Sequence, residues 1–187
     1  MLRSSLFLSL FLILGLSLNA QRSQRGGSSS DIDRKFEIKA NPIGLLFGNP
    51  SLSFEYILSE NFGLEASPTL FSRNRDILGE DASFSGAGLG IFAKYYFSPD
   101  EPASKFYVAP YIRFFRSSTT LTNSDELVNT RLAAGFMPGF KWVSDSNVTF
   151  EIAFGLGRAF INELEGTTAD FGLNLDAVGR FAVGYRF

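Results

Sequence analysis

Eight charged residues recur at alternate positions of segments whose other positions are apolar. They are four acids and four bases: Glu37, Lys39, Glu55, Glu65, Lys94, Lys141, Glu151 and Arg186. Successive side chains of a β-strand point to opposite faces, so these eight would share one face of a sheet. Isolated charges are strongly unfavourable in an interior of low dielectric constant, so we expect the eight to pair with one another. The chemistry that this pattern predicts is a structural ionic network.

Three arginines, Arg113, Arg131 and Arg180, occupy the same face further from the short turns. No acid was evident at an inward position near them. Two interpretations remain open: this basic region attracts an anion, or the arginines pair with acids of the long loops. The candidate loop acids are Glu163, Glu165 and Asp170.

The chain contains no cysteine and no histidine. The first absence excludes a disulfide framework, thiol catalysis and a cysteine zinc site. The second removes the commonest general base and the commonest metal ligand. A net charge of −2 gives no footprint for nucleic acid. We therefore expect no enzyme activity, no cofactor, no bound metal and no nucleic-acid partner.

Eight candidate strands follow one another from Phe36 to Phe187. Their approximate ranges are 36–47, 51–58, 63–72, 84–97, 105–116, 130–142, 148–160 and 176–187. Most are close to the ~9–11 residues that a tilted strand needs to cross a bilayer, and their number is even. Short connections at 59–62, 98–104 and 143–147 alternate with long polar ones at 73–83, 117–129 and 161–175, and a tight turn at 48–50 is the exception.

The other face of these strands is apolar, and no charge interrupts its central runs. Aromatic residues gather on it near the short turns, where they would form an interfacial girdle. The girdle residues are Tyr56, Tyr95, Phe97, Trp142, Tyr185 and Phe187. The charged face also carries many glycines and alanines, with Phe92, Tyr107, Tyr111 and Met137 as bulkier fillers. An eight-stranded barrel is just wide enough for side chains to fill it, so no open channel is expected.

Four prolines, Pro42, Pro68, Pro110 and Pro138, fall inside the predicted strands on the apolar face. A proline lacks the N–H that a strand ladder needs. We therefore expect β-bulges or kinks at these residues. The first strand should shift its register after Pro42.

The N-terminal residues 1–20 have the pattern of a secretory signal peptide. Arg3 precedes an apolar run from Leu6 to Leu18, and Ala20 ends a plausible cleavage site. A retained transmembrane anchor is the alternative, but the run is shorter than the ~20 residues of a spanning helix. Residues 21–35 are rich in glycine, serine and charge, which predicts a flexible lead. The barrel would then comprise residues 36–187.

The last strand alternates apolar and polar residues from Arg180 and ends on the aromatic Phe187. In this it resembles the small bacterial outer-membrane β-barrels, the OmpA-like, OmpX-like and OmpW-like transmembrane barrels. The resemblance implies an all-β fold, an eight-stranded antiparallel up-and-down transmembrane β-barrel, in the bacterial outer membrane with both termini in the periplasm. It also implies a monomer whose partners are outer-membrane lipid, lipopolysaccharide and, through the last strand, the barrel-assembly machinery.

Three functions remain open on this interpretation. The first is a structural or surface-interaction barrel whose lumen is closed by the charged residues. The second is a narrow pore or transporter for small or hydrophobic solutes, and the third is a secreted soluble barrel that binds lipid.

Overall fold

A computed structural model describes residues 34–46, 51–77, 80–98, 101–121, 127–165 and 174–187 of the chain. The predicted signal peptide, residues 1–20, lies outside these ranges. The predicted lead also lies outside them, except for Arg34 and Lys35, which are both exposed.

In the described part of the chain, eight antiparallel strands form a closed ring in which each strand pairs with its neighbours in sequence. The strands are β1 (Phe36–Ala40), β2 (Leu52–Ser59), β3 (Phe62–Ile77), β4 (Glu80–Tyr96), β5 (Lys105–Leu121), β6 (Leu127–Val143), β7 (Val148–Glu165) and β8 (Leu175–Arg186). β1 also pairs with β8, with Ile38 opposite Tyr185, and this pairing closes the ring. The predicted all-β fold with eight up-and-down strands is therefore confirmed.

The two faces of the ring differ as their alternation predicted. On β7, Glu151 exposes 1% of its surface and the next residue, Ile152, exposes 52%. On β2, Glu55 is buried between the exposed Phe54 and Tyr56. Because strand side chains alternate between faces, one residue step separates the ionic interior from the apolar exterior.

Three short connections lie at one end of the ring, which we call the short-turn end; the opposite end is the far end. They are Glu60–Asn61, 97–104 and Ser144–Asn147. The middle connection covers the opening of the ring, since Ala103 is fully buried and its backbone N–H donates to the carbonyl of Glu60 at 2.7 Å. The short-turn end is therefore closed by backbone as well as by side chains.

The first strand is shorter than predicted. It ends at Ala40, and Pro42–Leu46 form a short helix, α1, where a strand to residue 47 with a shifted register was expected. Asn41 caps this helix, because its Oδ1 accepts a hydrogen bond from the backbone N–H of Gly44 at 2.9 Å. Pro42 occupies the first helical position, where a missing N–H is harmless. Among the described residues, no helix has the length and apolar character that crossing a membrane demands.

At the far end, the strands continue well beyond their predicted limits. β3 and β4 remain paired as far as Ile77 opposite Glu80, where the sequence predicted a loop over 73–83. The other hairpins extend likewise, so that residues 117–121 and 127–129 of the predicted loop 117–129, and residues 161–165 of the predicted loop 161–175, are also strand. The apolar alternation on which the prediction depends weakens toward the far end, where polar residues such as Ser85 and Ser118 lie opposite each other. Backbone pairing needs no apolar side chain, and these two hydroxyls lie 3.1 Å apart across the ladder.

Pro68, Pro110 and Pro138 interrupt the strand ladder without shifting its register. Pairing between β2 and β3 runs to Phe54 opposite Ala66 and resumes in the same register at the bridge between Ser51 and Thr69. The same gap occurs on the β4 side of Pro110 and on the β7 side of Pro138. The expectation of β-bulges is therefore wrong for these three prolines, since the register is the same on both sides of each of them. The register shifts in these ladders lie between Ile57 and Ser59 and between Leu132 and Ala133.

Candidate functional site

Three carboxylates and two ammonium groups meet at the centre of the interior. Lys39 Nζ lies 2.6, 2.5 and 2.7 Å from the Oε2 atoms of Glu55, Glu65 and Glu151. Lys94 Nζ lies 3.0, 2.7 and 2.7 Å from the same three oxygens. All five side chains are fully buried. Each ammonium group therefore bridges three carboxylates at the distance of a charge-assisted hydrogen bond.

The same three carboxylates are close enough to share a cation, since one oxygen from each lies within 4.8 Å of the others. Carboxylate oxygens are also the donors that Mg²⁺ and Ca²⁺ prefer. Lys39 and Lys94, however, already contact all three Oε2 atoms. The ammonium groups thus supply the positive charge that a metal would bring, and the arrangement is that of an ion-pair network.

A second group of ion pairs extends toward the short-turn end. Lys141 Nζ lies 3.1 Å from Glu37 Oε1 and 2.9 Å from Glu55 Oε1. Arg186 donates from Nε to Glu37 Oε1 at 2.7 Å and from Nη2 to the carbonyl of Ala103 at 2.7 Å. The network is therefore fastened to the turn that covers this end of the ring.

Arg180 joins the network from the other side. Its Nη1 bonds to Glu65 Oε1 and lies 3.3 Å from Glu151 Oε1, and its guanidinium lies over the ring of Phe92, 4.3 Å from the centroid. The expectation that Arg180 has no inward acid is wrong, because its long side chain reaches carboxylates at a different level of the ring. We call the nine residues the ionic layer: Glu37, Glu55, Glu65, Glu151, Lys39, Lys94, Lys141, Arg180 and Arg186. It holds four acids and five bases.

Strand register explains why so many charges meet here. Glu37, Glu55 and Glu65 lie side by side on β1, β2 and β3. Like charges opposite one another destabilise a sheet unless something compensates them. Lys94 reaches this row from β4, the neighbour of β3, and Lys141 reaches it across the interior from β6. The row of carboxylates is therefore stable only in the closed ring.

Two tyrosine hydroxyls complete the partners of the carboxylates. Tyr96 donates to Glu55 Oε1 at 2.5 Å and Tyr107 donates to Glu151 Oε1 at 2.6 Å. The sequence predicted Tyr107 only as a filler, and Tyr96 was missed. The signal was present, because alternation places Tyr96 on the same face as Lys94, two residues earlier in the chain.

The substitution Tyr96→Phe should lower the free energy of unfolding by about 1–3 kcal/mol, because it leaves a buried carboxylate short of one donor. Its neighbour Tyr95 is 49% exposed, so Tyr95→Phe is the matched control and should change the stability little. Urea unfolding, followed by the fluorescence of the single tryptophan, Trp142, measures both. Equal effects of the two substitutions would show that the Tyr96 hydroxyl adds nothing to the ionic layer.

Arg113 and Arg131 have an inward acid as well, against expectation. Arg113 Nη1 lies 3.2 Å from Asp176 Oδ2, and Arg131 Nε lies 3.9 Å from Asp176 Oδ1. Tyr111 donates its hydroxyl to the same carboxylate at 2.9 Å. Asp176 was missed, although it shares the even-numbered face of β8 with Arg186 and is 8% exposed.

Among the described residues, Asp176 and not a loop acid pairs with Arg113 and Arg131. Glu163 is exposed on β7. There Leu132 of β6 lies opposite Ile161 and Ala133 opposite Ala159, so Phe160 is an extra residue that reverses the alternation beyond it. The side chain of Glu165 and the whole of Asp170 lie outside the described residues.

A cavity of about 160 Å³ lies beside Arg113 and Arg180, and we call it the upper cavity. Its polar lining consists of those two arginines with Asn41, Ser51, Ser53, Ser67 and Thr69. Gly90, which also lines the cavity, leaves room for the Phe92 ring, since a Cβ on Gly90 would come within 2.7 Å of it. Phe115, which stacks on Phe71 with ring centroids 5.4 Å apart, contributes to its wall.

The six predicted girdle residues all lie on the outside of the ring near the short-turn end. Their exposed fractions are 38% for Tyr56, 49% for Tyr95, 55% for Phe97, 51% for Trp142, 41% for Tyr185 and 56% for Phe187. Neighbouring rings contact one another, as Tyr95 does Phe97 with centroids 5.0 Å apart. An aromatic belt therefore surrounds this end of the ring.

The buried acids inside the ring are paired with bases. Each carboxylate of the ionic layer has a cationic partner within 3.1 Å. No protein-family model matches this chain, and no curated protein does. The two contrasting faces of the ring are therefore the basis for assigning a role.

Proposed function

We propose that this chain is an integral β-barrel of a bacterial outer membrane with a structural or surface-interaction role. The observation that carries the proposal is the sidedness of the ring. Phe54, Ile112 and Phe154 expose 46%, 48% and 56% of their surface on the outside, while the side chains of the ionic layer lie buried around the axis. Soluble monomers rarely expose apolar patches larger than a few hundred Å². Hydrocarbon is the solvent that favours such an exterior.

The height of the apolar exterior supports the same proposal. On β7 its charge-free run begins at Val148 and ends at the exposed Arg158. Ten residue steps advance about 33 Å along a strand, which is about 25 Å along the membrane normal at a tilt of about 40°. That height matches the apolar band of transmembrane barrels. The aromatic belt would then lie at one interface, in contact with lipid headgroups, and lipopolysaccharide would surround the other.

The filled interior supports a closed barrel over a pore. The ionic layer, the rings of Tyr96 and Tyr107 and the turn at Ala103 together occupy the axis at the short-turn end. It also disfavours a soluble lipid-binding barrel, which would need an apolar lumen. In the proposed orientation the short turns and both termini face the periplasm, as in barrels of this kind.

The test is expression of the full chain in a bacterium with two membranes. The protein should sediment with the outer membrane, require detergent for extraction and migrate faster on a gel before boiling than after it. Purified protein in planar bilayers should give no stable conductance, with a trimeric porin as the positive control. Detergent is expected to be necessary because the exterior is apolar. The gel shift is expected because boiling unfolds the compact barrel, and conductance should be absent because the ionic layer fills the interior.

Two outcomes would contradict the proposal. Recovery of the folded protein in the soluble fraction without detergent would place the apolar face against a partner rather than lipid. Stable single-channel steps would favour the narrow pore or transporter instead.

A further inference from the structure

The upper cavity has no part in a purely structural barrel, yet its lining is chemically selective. Arg113 and Arg180 contribute two guanidinium groups, and three serines, a threonine and an asparagine contribute hydroxyl and amide groups. No carboxylate is among the described residues that line it. We propose that the upper cavity binds a phosphate-type oxyanion, either free phosphate or the headgroup of a phosphomonoester lipid.

The charge balance of the interior favours an anion there. The ionic layer has four acids and five bases, and Asp176 faces both Arg113 and Arg131. These two groups together carry five acids and seven bases, an excess of two positive charges. An oxyanion with two negative charges would balance it where the dielectric constant is low.

The hydrogen-bonding capacity of the lining points the same way. Arg113 contacts Asp176 through Nη1, at 3.2 Å from Oδ2, and a guanidinium has five N–H donors in a planar fork that suits phosphate. Ser53 and Ser67 form part of the opposite wall, where the Ser53 hydroxyl donates to Ser67 Oγ at 3.1 Å and the Ser67 hydroxyl donates to the carbonyl of Leu52 at 3.3 Å. A volume of 160 Å³ is about ten times what one water molecule requires, so an oxyanion fits with its remaining waters.

Of the described strands, β1 ends at the lowest level, beside the upper cavity. β1 ends at Ala40, opposite Val183 on β8 and Leu52 on β2. Residues 175–182 of β8 extend beyond that level toward the far end. The segment with Asn41 and Gly44 lines the cavity there, and α1 packs against β8. A headgroup could reach the cavity from the side, and free phosphate from the far end.

The experiment measures binding to the purified full chain in phosphate-free detergent micelles by titration calorimetry. The probes are inorganic phosphate and dihexanoyl phosphatidic acid, whose headgroup is a phosphomonoester. The test variant is Arg113→Gln and the matched control is Arg131→Gln. Both remove a partner of Asp176, but only Arg113 lines the cavity. Loss of one charged contact should weaken binding roughly ten- to a hundredfold in Arg113→Gln, and about threefold or less in Arg131→Gln.

The outcomes separate the two sources of the oxyanion. Binding of both probes indicates a site for free phosphate, and binding of phosphatidic acid alone indicates a site for a lipid headgroup. Failure of both to bind at millimolar concentration, or equal weakening by the two variants, would overturn the proposal. If Arg113→Gln does not fold, Thr69→Val keeps every charge and should weaken binding about fivefold through the lost hydroxyl.

Discussion

Replacing Glu151 by glutamine should destabilise the folded chain by about 3–5 kcal/mol, the range for removing one partner of a buried ion pair. Glu151 is fully buried and contacts Lys39 and Lys94 at 2.7 Å each, Arg180 at 3.3 Å and the hydroxyl of Tyr107 at 2.6 Å. The substitution preserves the shape of the side chain, so packing changes little. What it removes is one of four negative charges that hold five positive ones.

The size of this effect follows from burial rather than from the number of contacts. Glu101 pairs with Lys105 at 2.8 Å, but the two side chains are 53% and 44% exposed. Exposed pairs of this kind contribute about 0–1 kcal/mol, so Glu101→Gln is the matched control. Unfolding in urea, followed by Trp142 fluorescence in micelles, compares the two variants. A loss below about 1 kcal/mol in Glu151→Gln would show that water reaches the ionic layer.

Because the ionic layer has more bases than acids, removing a base should destabilise the chain less than removing an acid. Lys39→Met removes a cation and leaves four acids with four bases, since Lys94 still contacts the same three oxygens. It should therefore destabilise less than Glu151→Gln. The double variant should be more stable than Glu151→Gln alone, because it lowers the excess of bases over acids in the ionic layer from two to one. The opposite order would mean that the row of carboxylates, not the excess of bases, limits stability.

The two faces of the ring were predictable because sidedness in a strand is a local property. The burial of Glu55 between Phe54 and Tyr56 follows from residue order alone. The same rule places Tyr96 on the face of Lys94 and Asp176 on the face of Arg186. The Asn41–Pro42 pair was likewise a helix start that the apolar residues after it concealed.

The partners within the interior were not predictable, because they depend on ring closure. Lys94 reaches Glu55 over 39 residues and Lys141 reaches Glu37 over 104. The backbone of Arg180 lies opposite Ala153, but its long side chain extends to Glu65 and Glu151 at another level of the ring. Residue type thus predicted which side chains are ionic and inward, and only the closed ring determines their pairing.

The substitution Phe154→Arg tests which solvent meets the exterior. Phe154 is 56% exposed on β7, between the exposed Ile152 and Leu156 and about midway between the short-turn end and Arg158. If hydrocarbon surrounds the ring, arginine at this level should destabilise the chain by about 2–4 kcal/mol. In water the same substitution would remove an exposed apolar side chain and be neutral or favourable. The sign of the effect therefore distinguishes a membrane barrel from a soluble one.

The matched control is Leu58→Arg, on β2 beside the turn at Glu60, where the side chain is 51% exposed. Near an interface the same charge costs only about 0–1 kcal/mol. Both variants should be refolded into phosphatidylcholine vesicles and unfolded in guanidinium chloride, since the difference between them isolates depth from the loss of an apolar contact. A larger loss in free energy of unfolding for Phe154→Arg than for Leu58→Arg supports hydrocarbon around the middle of the ring. If the two substitutions lower the free energy of unfolding by the same amount, the proposal is contradicted. Water around the whole ring would make the effect of an arginine independent of its depth.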